Sequence, residues 1–338
     1  MSQDTYNLGF EYQARTNTVL GVNFVRTDLI RTIEDLGTLV DGSEVYIYGN
    51  PGEGSVANTV PSNAVTPSFP NPKPERTYTA VEFTANRRFS NNWFLGGSYV
   101  VSRLYGNYGG IVNTDEVTYP GRVSVGAQEP AGQRTRPGTN ASRAWDLDQM
   151  LLDSHGDLVY GRLASDRPHV VKVYGSYLFK FGTNVGLNLY AGSGTPISQT
   201  VQTTAGVPVF VEGRGNLGRT DALTQTDLLV SHEFRMSGAK RLRFEFNGLN
   251  IFNQRQVRHV FDNVNRIASN GRRLASSGMN LSQVNLLNGY DYNALLAASP
   301  DASKPAGTPG AGYADPRYGQ ADIWNPGFDG RFTVRFLF

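Results

Sequence analysis

Cysteine is absent from this 338-residue sequence, which excludes disulfide scaffolds and thiolate zinc sites. Long hydrophobic runs are missing too: there is no stretch of about 18 apolar residues, so the sequence offers no transmembrane helix. Charge of one sign does not predominate, because 31 Lys and Arg residues face 29 Asp and Glu residues. A net charge of +2 supplies no basic field for nucleic acid, so no nucleic-acid partner is expected.

Aromatic residues and glycine are abundant, and the chain end shows how they are arranged. Every second residue from 328 to 338 is apolar or glycine, with mostly polar residues between them. Successive side chains of a strand point to opposite faces, so this segment predicts a strand with one apolar and one polar face. In an outer-membrane barrel the first face lies in lipid and the second in the lumen. The apolar set is Phe328, Gly330, Phe332, Val334, Phe336 and Phe338.

The same alternation recurs eight times upstream and predicts an all-β chain of nine strands. Connections between these strands alternate strictly between tight turns and long polar loops rich in Gly, Pro, Asn and Ser. Residues 43–48 predict an extra strand within the first long loop. The nine predicted segments are 5–13, 20–24, 77–89, 93–102, 171–180, 185–191, 227–234, 242–247 and 328–338.

Two regularities together indicate an antiparallel transmembrane β-barrel. Short turns on one side and long loops on the other are typical of the periplasmic and extracellular sides of outer-membrane barrels. Aromatic residues also recur at the tight-turn ends, as in a membrane girdle. A soluble β-sandwich explains the alternation but would not need both regularities. The girdle residues are Tyr12, Phe89, Trp93, Phe179, Phe181, Phe234 and Phe338.

The strand count and the first residues indicate whether the sequence corresponds to a whole barrel. Single-chain bacterial barrels have even strand numbers, whereas nine strands are counted. The start, Met1-Ser2-Gln3-Asp4-Thr5, has no basic region and no apolar segment, so no signal peptide is expected in this sequence. We therefore expect residues 1–338 to be the C-terminal segment of one larger barrel domain.

Three stretches have a recognisable sequence: residues 247–253 (Asn-Gly-Leu-Asn-Ile-Phe-Asn), residues 192–198 (Gly-Ser-Gly-Thr-Pro-Ile-Ser) and the terminal strand. They resemble TonB-dependent outer-membrane receptors, particularly the Oar-like group with large surface loops. Three loop stretches are similar as well: residues 31–37, 49–54 and 315–319. The resemblance covers essentially the whole chain, and the order of the motifs is more specific than any single one.

This resemblance implies a 22-stranded barrel closed by an N-terminal plug and energised through TonB. The nine strands would be the last nine of that barrel, with the plug outside this chain. The implied function is TonB-dependent transport of a large solute across the cell outer membrane of a Gram-negative bacterium. Its expected partners are outer-membrane lipid, the barrel assembly machinery, the TonB system and an unknown solute.

Two groups of candidate functional residues follow from the strand pattern. The terminal residues Phe332, Val334, Phe336 and Phe338 resemble the signal that the barrel assembly machinery reads. Charged residues at polar positions are expected to face the lumen, where they either pair with one another and the plug or line a solute path. These are Glu82, Lys172, Asp227, Glu233, Arg243, Glu245, Arg331 and Arg335.

Other motifs match short patterns of nucleotide, metal or catalytic sites but lack the structural context that such sites require. Residues 213–218 match GxGxxG but lead into another strand instead of a helix, so a nucleotide site is not expected. Residues 153–157 (Asp-Ser-His-Gly-Asp) offer metal ligands or a Ser–His pair, yet lie adjacent in a polar loop. His169 and His232 are expected to pack on strands, and residues 290–298 to form one short helix. No constellation predicts an enzyme or a cofactor.

Two further functions remain open at this point. A structural or adhesive barrel would bind a surface partner through its long loops without energised transport. A secreted soluble β-protein, for example one that binds carbohydrate through its aromatic residues, would dissolve in water without detergent.

Overall fold

Nine long strands dominate the computed structural model, which describes residues 1–40, 43–57, 66–110, 145, 151–202, 208–238, 240–262, 264, 285–291 and 318–338. Seven shorter strands lie in the long connections or at their ends. The long strands are β1 (Ser2–Arg15), β2 (Thr18–Arg31), β5 (Arg76–Ser90), β6 (Trp93–Gly106), β8 (His169–Leu178), β9 (Thr183–Gly192), β12 (Leu223–Arg235), β13 (Arg241–Leu249) and β16 (Asp329–Leu337). The short ones are β3 (Glu34–Val40), β4 (Ser43–Gly49), β7 (Gly161–Arg162), β10 (Thr200–Gln202), β11 (Pro208–Phe210), β14 (Val257–Val260) and β15 (Ala321–Trp324).

The long strands form one antiparallel sheet in chain order, β1-β2-β5-β6-β8-β9-β12-β13-β16, with β7 added at the end of β6. Each long strand therefore pairs with its neighbour in sequence, as the alternation of short and long connections predicts. The nine predicted strands and the extra strand at residues 43–48 are confirmed. The hairpins β10–β11 and β14–β15 were not predicted, because their three or four residues are too short to display a period of two.

Tight turns join the strands at one end of the sheet. Asn91 and Asn92 link β5 to β6 with positive φ values of 52° and 70°. Two successive positive φ angles define the type I′ turn, which matches the twist of a hairpin and which Asn tolerates. Gly182 and Gly238 occupy the same kind of conformation in the turns after β8 and β12, at φ 92° and 72°.

Strand register sorts the sheet into one apolar and one polar face. Val230 of β12 lies opposite Val185 of β9 and Phe246 of β13, and Phe246 in turn lies opposite Phe332. On the other face Glu233 lies opposite Arg243, and Arg243 opposite Arg335. Because the side-chain period is two, this register keeps the two sets apart across all nine strands.

Among the described residues, none packs as a second layer on the apolar face. Leu8 is 75% exposed, Phe10 69% and Phe332 81%. A soluble sheet would cover such residues with a second layer, since burying a large apolar side chain is worth about 1.5–3 kcal/mol. No helix among the described residues is both long and apolar enough to cross a membrane.

The buried core lies in the long connections instead. We call the described residues of the four long connections, between β2 and β5, β6 and β8, β9 and β12, and β13 and β16, the loop cap. Tyr108, Trp145 and Leu151 form one buried cluster, and Leu152 packs on Leu286 in another. Phe69 contacts both clusters and joins the connections to one another.

Candidate functional site

The eight charged residues predicted to face the lumen all lie on the polar face of the sheet. The pairing register places each of them on this side, from Glu82 on β5 to Arg335 on β16. Whether this face lines a lumen stays a prediction. The structure shows which members of the set interact and which stand apart.

Glu233 is the centre of the closest ion-pair group. Its Oε1 lies 2.9 Å from Arg241 Nη1, and its Oε2 lies 2.9 Å from Arg243 Nη2. On the next strand pair Arg335 Nη2 stands 3.8 Å from Glu245 Oε1. Opposite charges facing each other across antiparallel strands form a ladder, one of the two arrangements expected from the sequence. Arg241 is its unpredicted member.

Glu82, Lys172 and Arg331 make no ion pair within the described part of the chain. Glu82 lies opposite Asn23 and Val100, while Lys172 lies opposite Ser98 and Tyr190. Their charged groups are therefore available to contact solvent, a plug or a solute on the polar side of the sheet.

Asp227 differs from the other seven charged residues because its carboxylate joins β9, β12 and the chain after β13 by hydrogen bonds. Its Oδ1 accepts hydrogen bonds from Gln225 Nε2 and from the backbone N–H of Asn250, both at 2.9 Å. Its Oδ2 accepts from Asn188 Nδ2 at 3.1 Å. With three donors around one carboxylate, Asp227 acts as a structural acceptor at this position.

Asn250, in the Asn-Gly-Leu-Asn-Ile-Phe-Asn stretch, organises the chain after β13. It is 2% exposed and has a positive φ of 51°. Its side-chain amide donates to the carbonyls of Gln254 (3.0 Å) and Pro326 (2.7 Å), and its Oδ1 accepts from Gln254 N. Asn suits both demands, since it tolerates the left-handed region and carries a donor and an acceptor. The stretch was noticed in the sequence, but this function was not.

The candidate assembly signal lies on the apolar face of the last strand. Phe332, Val334, Phe336 and Phe338 are between 50% and 94% exposed. The Phe332 ring packs against Phe246 at 4.8 Å between centroids, so part of the strand is held by its neighbour. Recognition by the assembly machinery stays a prediction.

Aromatic rings form a band along the tight-turn end of the sheet. Phe179 contacts Tyr177 at 4.8 Å and Phe181 at 5.2 Å between centroids. His232 joins the band against Phe234 at 4.3 Å, and its Nδ1 lies 2.7 Å from Thr183 Oγ1. His232 is therefore a packing residue, as expected. At the other end of the strands, the ring of His169 stacks on Tyr99.

Asp166 is the strongest polar centre of the loop cap, and the sequence did not point to it. The residue is 1% exposed and accepts a hydrogen bond from Leu104 N at 2.7 Å. Its Oδ2 pairs with Arg162 at 3.3 Å and with Arg219, which also donates to the Asp166 and Gly194 carbonyls. These contacts join the β6–β8 and β9–β12 connections to the C-terminal end of β6. No local pattern reveals them, because Arg219 is 53 residues away.

A second buried group joins the first two connections. Tyr108 is fully buried, and its hydroxyl donates to Glu34 Oε1 at 2.5 Å and lies 3.3 Å from Thr32 Oγ1. Burial raises the pKa of Tyr108, and the hydrogen bond to Glu34 raises it further. Nearby, Tyr160 donates to Glu75 Oε2 at 2.9 Å, and burial together with this contact raises the pKa of Tyr160 to about 12. Both tyrosines are therefore fixed as neutral donors.

The two chemistry-like motifs are ordinary loops. Asp153 Oδ1 accepts the backbone N–H groups of His155 and Asp157, so this carboxylate closes its own turn. Gly213, Gly215 and Gly218 have positive φ angles without a following helix, unlike a nucleotide-binding loop. Within the described residues no group of three His, Cys, Asp or Glu side chains is placed to hold a metal ion. Residues 292–298 of the expected short helix and residues 315–317 lie outside the described residues.

Comparison with known proteins identifies one curated relative. No family model matches the chain. The TonB-dependent transporter Oar of Myxococcus xanthus is 29% identical over 265 residues, which is 77% of this chain and 22% of the relative. The chain thus spans less than a quarter of the length of that protein.

Two solved structures are also similar. The ferric-catecholate import receptor Fiu of Escherichia coli K12 aligns with 14% identity and a TM-score of 0.39, over 80% of this chain and 25% of that one. The outer membrane transporter YddB of Escherichia coli aligns with 10% identity and a TM-score of 0.44, over 75% and 29% respectively. The all-β antiparallel fold predicted from the sequence is confirmed, and so is the resemblance to a TonB-dependent transporter of the Oar-like group. The outer-membrane location stays a prediction.

Proposed function

We propose that this chain is the C-terminal barrel portion of a TonB-dependent transporter that moves a large solute across the outer membrane. The observation that carries the proposal is the two-faced sheet: its large apolar face is exposed, with no second layer over it in the part of the chain that the structure describes. Lipid is the surrounding that makes such a face favourable. The sequence similarity to a TonB-dependent transporter supports the same function.

The open edges of the sheet support further strands in the working protein. Only one side of β1 and one side of β16 is paired within the described residues. In lipid each unsatisfied backbone group costs several kcal/mol, so the edges must be paired for the sheet to persist there. We therefore propose closure into a larger barrel with additional strands.

The polar face is the proposed boundary of the solute path or of a plug. Glu82, Lys172 and Arg331 supply charges that the sheet itself does not neutralise. Asp227 and Glu233 are committed to structural contacts and are the least suitable to bind a passing solute.

An immunoblot of native outer membranes tests the barrel proposal. An antibody against residues 329–337 is used on detergent extracts with and without boiling. We expect a heat-shifting band well above 37.0 kDa, the mass of this chain. A band near 37.0 kDa in the soluble fraction would overturn the proposal and favour the soluble β-protein.

The loop cap favours one alternative, a structural or adhesive barrel. Its buried clusters hold the connections in a fixed arrangement, which is suited to binding a surface partner. A pull-down separates the two functions: the purified periplasmic domain of TonB is the bait, and detergent-solubilised outer membranes supply the native protein. Retention of the heat-shifting band supports energised transport, whereas a heat-shifting band that is not retained supports the adhesive barrel.

A further inference from the structure

An apolar groove crosses the apolar face of the sheet near its tight-turn end. Its volume is about 610 Å³, and Leu95, Val173, Gly175, Tyr177, Leu187 and Leu189 line it. These residues belong to β6, β8 and β9, so the groove runs over three adjacent strands of the sheet. It lies on the face opposite the proposed solute path, and the girdle residues Trp93 and Phe179 form only part of its lining.

Gly175 creates the groove. It lies opposite Leu95 on β6 and Leu187 on β9, and it leaves a gap between two large side chains. A Cβ atom at Gly175 would stand 2.7 Å from the Phe94 carbonyl oxygen, closer than a real Cβ approaches backbone. The gap is therefore built into the strand pairing and is not a rotamer choice.

Aromatic rings border the groove toward the tight turns. Trp93 lies opposite Tyr177, and Tyr177 packs edge-on against Phe179 at 4.8 Å between centroids. Trp and Tyr prefer the level of the lipid head groups, where one end of the ring is apolar and the other is wet. The groove thus extends from head-group level toward the membrane interior.

A cation stands beside the aromatic border. Arg87 of β5 lies opposite Leu95, with its guanidinium carbon 3.5 Å from the centroid of the Trp93 ring. Its Nη1 donates to the Ser90 and Trp93 carbonyls at 3.0 and 2.6 Å. Among the described residues no carboxylate pairs with Arg87, and its Nε and Nη2 make no hydrogen bond. The guanidinium is fixed in position and keeps donors for an anion.

We propose that this groove binds one phospholipid, with an acyl chain along Gly175 and the phosphate on Arg87. The inference rests on the proposed function, since it requires the apolar face to lie in lipid. An apolar channel with an arginine at head-group level matches both parts of a phospholipid, and guanidinium N–H groups suit phosphate geometry. An apolar peptide would fill the groove but would not contact Arg87 through an anionic group. A soluble anion would bind Arg87 but would not fill the groove.

Native mass spectrometry of the full-length protein, extracted in detergent and supplied with phosphatidylglycerol, tests the phosphate contact. Arg87→Gln should reduce phospholipid retention about tenfold, the effect of losing one charge-assisted contact. Arg88→Gln is the matched control, because it removes the same charge one residue along β5, whereas the cation over the Trp93 ring is Arg87. Equal retention by the two variants would overturn the proposal.

A second pair of variants tests the groove itself. Val173→Phe narrows it from a lining position, whereas Val171→Phe makes the same change one pleat further along the same face of β8. We expect Val173→Phe to reduce retention of phosphatidylglycerol and of diacylglycerol alike, and Val171→Phe to change neither. Because diacylglycerol lacks phosphate, Arg87→Gln should leave its retention unchanged. Equal diacylglycerol retention by the two valine variants would refute an acyl chain in the groove.

The heat-shift blot keeps this inference apart from the proposed function. A heat-shifting protein whose Arg87→Gln and Arg88→Gln forms retain lipid equally refutes the lipid site and leaves the barrel intact. A soluble protein without a heat shift refutes both.

Discussion

The sheet exposes its large apolar side chains, whereas the loop cap buries them among its own residues. Leu8, Phe10 and Phe332 on the sheet are more than two-thirds exposed, whereas Tyr108 and Leu163 in the loop cap are 0% exposed. The sheet depends on its surroundings for an apolar environment, and the loop cap contains its own. The difference shows that a strand pattern alone can specify a two-faced sheet, while the connections need packing between distant segments.

The largest expected effect comes from a buried charge in the loop cap. Asp166→Asn removes the charge-assisted contacts of a buried carboxylate with Arg162 and Arg219, and hydrogen bonds to charged groups are worth about 1.5–3 kcal/mol each. We expect faster proteolysis of the loops on intact cells, with the heat shift of the sheet unchanged.

Glu53→Gln is the matched control for Asp166. Glu53 also pairs with two cations, Arg31 at 2.8 Å and Lys73 at 3.3 Å, but both partners are more than half exposed. Burial alone would raise the pKa of Glu53, yet Lys73 and Arg31 together lower it. Exposed pairs contribute about 0.2–1 kcal/mol, so similar proteolysis of both variants would contradict the comparison.

A charge on the apolar face should have the next largest effect. Val22→Arg places a cation among Phe10 and Phe83, its partners on β1 and β5. In lipid this costs about 2–4 kcal/mol near the bilayer midplane. Equilibrium unfolding from phospholipid vesicles measures it. Asn23→Arg, the adjacent position on the polar face, should be nearly neutral, and equal costs would mean that the faces are assigned wrongly.

The charge ladder of the polar face should contribute less. Glu233→Gln removes two contacts of 2.9 Å, to Arg241 and Arg243. If the face is in contact with water, the free energy of unfolding should fall only slightly, and added salt should shrink the difference. Glu82→Gln, which breaks no ion pair among the described residues, is the control. A large loss of stability for Glu233→Gln that salt does not change would show that water does not reach this face.

The smallest effect is confined to alkaline solution. Tyr160 has its pKa raised from 10.0 to about 12, so the folded loop cap favours the protonated hydroxyl. Its contribution is complete below pH 10 and is lost as the pH rises through 12. The difference in tyrosinate absorbance between the wild type and Tyr160→Phe should titrate near 12. A midpoint near 10 would mean that Glu75 does not hold the hydroxyl.

Much of the sheet could be predicted because strand signals are local. The alternation at residues 328–338 predicted both faces of β16. The short gap between the predicted segments 77–89 and 93–102 predicted a tight turn, which the positive φ angles of Asn91 and Asn92 confirm. The residues of the polar face could be named for the same reason. Their pairing could not: Glu233 binds Arg241 as well as Arg243, which depends on rotamers and not on register alone.

The sequence by itself determined the strands, their faces and their order, since a period of two and short turns act over a few residues. Only the tertiary structure decided what the loops do. Asp166 meets Arg219 over 53 residues, and Leu286 N donates to Thr66 Oγ1 over 220. The groove at Gly175 likewise exists only once β6, β8 and β9 lie side by side. Contacts between distant segments leave no periodic trace along the chain, so they appear only when the chain is folded.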